Sequence, residues 1–90
     1  MADLARHHFG WVGHGFHPGV EHHWWFGPIA FGDVVHVTAH PVQRVDREAM
    51  VQDLRARVDA AGTRTLRFTV RNTGANSISG YGLDFSIVSD

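Results

Sequence analysis

Eight histidines fall in the first forty residues: His7, His8, His14, His17, His22, His23, His36 and His40. Imidazole is the commonest protein ligand for zinc, copper and nickel, and the one side chain that ordinarily titrates near neutrality. Metal chemistry is restricted by the spacing. On a strand His36 and His40 share a face but stand about 13 Å apart, too far to share an ion whose bonds to nitrogen are about 2.1 Å long. His22 and His23 are adjacent and point to opposite faces. His14 and His17, in a glycine-rich stretch, form the best local pair. A zinc, copper or nickel site therefore has to draw on separate elements, with His14, His17, His22 and His36 as the candidate ligands. A second chemistry is pH sensing: eight added protons take the formal charge from −1 to +7 and would push apart an assembly held through this region. The plainer reading, favoured here, needs no cofactor and has the imidazoles make polar contacts beside aromatic rings.

Those rings share the histidines' half of the chain. Phe9, Trp11, Phe16, Trp24, Trp25, Phe26 and Phe31 all precede residue 32, whereas seven of the eight arginines follow residue 40. On a strand the consecutive Trp24 and Trp25 must face opposite ways, so one anchors the core and the other faces outward. An outward indole beside Phe26, with Trp11 and Phe16, makes an apolar patch of the kind that marks an interaction site. Three occupants compete for it: a second copy of the chain, the chain's own N-terminal arm, and a carbohydrate stacked on a flat ring.

Catalysis has less to stand on. The serines at 77, 79, 86 and 89 fall in no G-x-S-x-G pattern, and neither H-E-x-x-H nor a phosphate-cradling glycine loop occurs. The expectation is a protein that is not an enzyme.

The elements that must position these residues read as strands. The segments 33–40, 64–71 and 78–88 alternate along the chain with period two, and EHHWWF, residues 21–26, is a β-prone run ended by Gly27-Pro28. Residues 46–61 fit two periods. Met50, Leu54, Val58 and Ala61 lie at helical spacing, while Leu54, Ala56 and Val58 alternate against Asp53, Arg55 and Arg57; a strand over about 49–58 is preferred. Residues 10–19 hold four glycines and Pro18, which predicts a loop or arm. The expected architecture is all-β: a small antiparallel β-sandwich over 21–90 preceded by a Gly/His/aromatic-rich arm over 1–20.

LRFTVRNTG, residues 66–74, resembles the strand-and-turn signature of immunoglobulin-like bacterial sandwich domains of the cell-adhesion-related (CARDB) kind, where an Asn-x-Gly turn precedes the closing strand. The wider pattern FGP, VTAHPV and LRFTVRNTG is similar to small bacterial proteins. The resemblance implies an immunoglobulin-like sandwich with an adhesive or scaffolding role, and it brings no catalytic residue across.

Bulk properties bound the rest. Ninety residues make one domain with a thin core, burying about 60–65% of the surface exposed when unfolded. With no cysteine, neither disulfides nor thiolate zinc sites contribute. A net charge of −1 without a basic block argues against nucleic acid. No run approaches the roughly 18 apolar residues of a membrane span, and MADLARHHFG lacks the apolar core of a signal peptide; a cytoplasmic setting is expected. Small domains need a staple, and a partner subunit supplies one. The function expected is therefore a binding or assembly module forming a homo-oligomer through Trp11, Phe16, Trp24, Trp25 and Phe26, with metal binding and carbohydrate binding as alternatives.

Overall fold

The period-two segments become strands of a two-layer, all-β sandwich. The computed structural model describes residues 3–30, 32–43 and 45–89, so Phe31 lies outside the described residues. Strand β1 spans Asp3–Phe16, β2 Glu21–Phe26, β3 Val34–Pro41, β4 Ala49–Val58, β5 Arg64–Asn72 and β6 Ile78–Ser89. One sheet has the order β1-β6-β3 and the other β2-β5-β4, with every pairing antiparallel. Ring contacts put β1 over β2 and β6 over β5, and β3 lies over β4.

Inner positions of the central strands form the core. Leu66, Phe68 and Val70 of β5 face Tyr81, Leu83 and Phe85 of β6, each at most 6% exposed. Phe16, Ile29 and Ile78 close the ends. The chain changes sheet at every connection except β4–β5. Immunoglobulin sheets ordered ABED and CFG keep three consecutive strand pairs within a sheet; here one pair does so. In the LRFTVRNTG segment β5 ends at Asn72, and the turn after it leads into β6.

Within residues 46–61, Ala49–Val58 form strand β4. Met50, Leu54 and Val58, the stripe a helix would bury, are 49%, 46% and 53% exposed, while Val51 stands opposite the core residue Val70. A bulge between Gln52 and Arg55, with Asp53 at φ 55°, shifts the phase of the strand's second half.

The segment expected as an arm is strand β1, the edge of its sheet, so the arm docks on its own domain. Its glycines masked a period-two pattern. Phe9 and Trp11 face inward opposite Leu83 and Tyr81, and Gly10 sits opposite Gly82 on the outer face. Pairing breaks only between Val12 and Phe16, where Gly15 has φ 86°. Asn72, 1% exposed, ties the following loop down: its side-chain amide donates to the carbonyls of Phe16 (2.9 Å) and Asn76 (2.8 Å), and its side-chain oxygen accepts from Gly74 N–H (3.0 Å).

Candidate functional site

Strand β2 divides its aromatics as the alternation requires. Trp24 points between the sheets, and Trp25 points out with 66% of its surface exposed. The Trp24 indole N–H donates to the Tyr81 hydroxyl at 2.9 Å, and the hydroxyl is hydrogen-bonded to Nδ1 of His22 at 2.7 Å. The hydroxyl's own proton is thereby available to His22, an arrangement that suits the neutral imidazole. Phe16 stacks on the His22 ring with centroids 4.2 Å apart, and Trp11 meets it edge-on at 4.6 Å. Burial holds the His22 pKa below its ordinary value, with His23 adding a smaller like-charge effect. Burial likewise pushes the Tyr81 hydroxyl up to about 12, against the opposing effect of the Trp24 hydrogen bond. Phe16 is 0% exposed and Trp11 half-buried, so neither forms the outward patch expected of them; they pack around this polar node.

The outward apolar surface lies beside it, on the flank where β1 and β2 are the edge strands. Phe9, Trp24, Trp25, Phe26, Gly27 and Phe85 line a cleft of about 240 Å³ between the sheets. Phe26 stacks on Phe85 at 4.4 Å, and Phe9 meets both rings edge-on at 6.5 and 5.8 Å. Phe9 occupies an inner position yet is 50% exposed, because no strand lies beyond β1 to cover it. Three of the five anchors expected from sequence, Trp24, Trp25 and Phe26, thus line one cleft. Phe9 joins them, and its position two residues before Trp11 was the available signal.

The candidate metal ligands do not converge. His14 and His17 line a groove with Gln43 and Ser77, where His17 hydrogen-bonds Ser77 Oγ at 2.7 Å. His22 is inside the sandwich, and His36 is exposed on the outer face of the β1-β6-β3 sheet, opposite Ser86. Among the described residues no group of three His, Asp or Glu is placed to hold a metal ion. A different pair meets instead. His8 Nδ1 lies 2.8 Å from one oxygen of Asp84 and His40 Nε2 lies 3.3 Å from the other. The His8 hydrogen bond first, and then the charges of His8, His40 and Arg6, hold the Asp84 carboxyl below its usual range. Gly82 permits this: a Cβ there would stand 2.7 Å from the His8 ring. This trio edges a shallow groove of about 430 Å³ whose floor is Gly10 and Gly82.

Among the described residues no helix is long and apolar enough to cross a membrane. Comparison with protein-family models, curated proteins and solved structures finds no match to this chain.

Proposed function

We propose that this chain is a non-catalytic binding module that assembles into a homo-oligomer through the flank where β1 and β2 are the edge strands. The supporting observation is the wholly apolar lining of the cleft under Phe9 and Trp25, which are 50% and 66% exposed between two free strand edges. Covering about 100 Å² of each ring is worth roughly 2.5 kcal/mol. A two-fold contact repeats that gain on both copies, which offsets the lower part of an association cost of about 4–15 kcal/mol. Free backbone groups along β1 and β2 can add strand pairing to the ring contact. The likeness of residues 66–74 to adhesive immunoglobulin-like domains points the same way, toward scaffolding.

Native mass spectrometry of protein purified without chelator tests this reading. The expected spectrum is a metal-free multiple of the 10.0 kDa chain mass, and Phe9→Ser with Trp25→Ser should shift it to the monomer. Both rings are exposed, so the variant keeps its core. A monomer carrying stoichiometric zinc, copper or nickel would overturn the proposal.

A further inference from the structure

The opposite flank of the sandwich ends in β4, the other edge of the β2-β5-β4 sheet. Every residue from Asp53 to Val58 is exposed, including positions that face inward. The bulge at Gln52/Arg55 decides which side chains go where. Without it, Arg55 would stand opposite the core residue Leu66; with it, Arg55 stands opposite Arg67, and Ala56 opposite Leu66. The outer face therefore carries Arg55, Arg57 and Arg67, while Ala56 and Val58 take the inner phase yet stay exposed along the free edge. Val58 is 53% exposed.

The charges on this edge are unbalanced. Like charges directly opposite one another across strands are destabilising, and Arg55 faces Arg67. Among the described residues neither these two nor Arg57 makes an ion pair. Arg55 Nη1 reaches only the Asp53 carbonyl, at 3.2 Å. The Asp59 carboxylate, just past the strand, accepts from the backbone N–H of Ala61 and Thr63 at 2.9 Å each.

We infer that the free edge of β4 is a docking strip for an extended partner segment in which acidic and apolar side chains alternate. Added as a fourth strand, such a segment pairs with the backbone of β4, sets carboxylates beside Arg55 and Arg57, and covers Ala56 and Val58 with its apolar side chains. Edge recognition of this kind takes affinity from the backbone and specificity from alternate side chains. A second copy of β4 is the wrong occupant, because it would set arginine against arginine; edge charges guard sheets against self-pairing in this way. The strip is on the far flank from the self-association cleft, and neither proposal depends on the other.

Titration of the full chain with a synthetic Glu-Val-Glu-Val-Glu-Val peptide, followed by amide chemical shifts and fluorescence anisotropy, tests the assignment. Expected are shifts centred on residues 53–58 and no binding by the Lys-for-Glu peptide. Of two peptides N-methylated along one edge or the other, the one blocked on its pairing edge should not bind. Arg55→Glu with Arg57→Glu turns two attractive pairs repulsive and should weaken binding about tenfold or more. If that variant loses its near-UV circular dichroism, Arg55→Gln with Arg57→Gln should weaken binding in the same direction. Undiminished binding of both N-methylated peptides, or equal binding of a polyglucuronate, would show a charged patch with no strand pairing and overturn the inference. So would indifference to the arginine substitutions, or no binding at millimolar peptide.

Discussion

Replacing Tyr81 by Phe removes one oxygen and keeps the ring, which is 0% exposed and stacks on Trp11 at 5.2 Å. The hydroxyl accepts from Trp24 and is hydrogen-bonded to Nδ1 of His22, so two hydrogen bonds go, each worth about 1 kcal/mol net. Both partners are half-buried, so water satisfies them only in part, and the total loss should be about 2–3 kcal/mol. For a domain of this size that lowers Tm by roughly 10–20 °C. The loss should also depend on pH. Burial keeps the folded-state pKa of His22 below 6.5. The unfolded chain therefore binds the proton first, and His22 costs stability as pH falls from 6.5 through the folded value. Where the hydroxyl's proton serves the neutral imidazole, Tyr81→Phe removes a donor that favours the neutral form, so the acid-induced loss should shrink. Urea unfolding of both proteins at pH 8 and pH 5 should show a larger gap at pH 8. A gap below about 0.5 kcal/mol at pH 8, or one that does not narrow at pH 5, would refute this account of the node.

Asn72→Ala should cost about 2–3 kcal/mol in thermal unfolding, since it strands the buried Phe16 carbonyl and leaves the part-buried Asn76 carbonyl and Gly74 N–H to water; a change under 1 kcal/mol would show that water replaces the amide. Gly82→Ala should dislodge the exposed His8 ring with little effect on stability, because a flexible side chain yields where backbone would not. An NMR titration should then find the Asp84 carboxyl shifted up toward its ordinary range, and an unmoved titration would mean that His8 does not set it.

Five of the six strands were legible because their residues announce themselves locally. VVHVTAH and RTLRFTVR each alternate over six or more residues, EHHWWF is a β-prone run closed by Gly27-Pro28, and the Trp24/Trp25 split follows from adjacency alone. Strand β1 was not legible, because Gly10, Gly13 and Gly15 read as breakers when taken singly. What the strand needs from a glycine is at Gly82, whose missing Cβ leaves room for the His8 ring, a fact belonging to two strands far apart in the sequence. The site divides the same way. That Trp25 would be exposed could be read from its neighbour, but the Trp24–Tyr81–His22 chain joins groups separated by 57 and 59 positions. The count of histidines likewise suggested a ligand set, yet what decides their roles is the sheet face each one occupies. His22 faces the interior from the β2-β5-β4 sheet, and His36 faces outward from the β1-β6-β3 sheet.

The alternation of the chain between sheets governs how this domain must be made. Its first strand pairs with its last, Asp3 opposite Ser89, so a growing chain leaves β1 unpartnered until almost the whole domain has been synthesised. Only the β4–β5 hairpin can form from neighbouring residues; every other pairing must first close a long loop, which slows folding. Meanwhile Phe9 and Trp11 wait in water on an unpaired strand. For this protein the interval between synthesis and closure is the period of greatest exposure to misassembly, and β6 ends it.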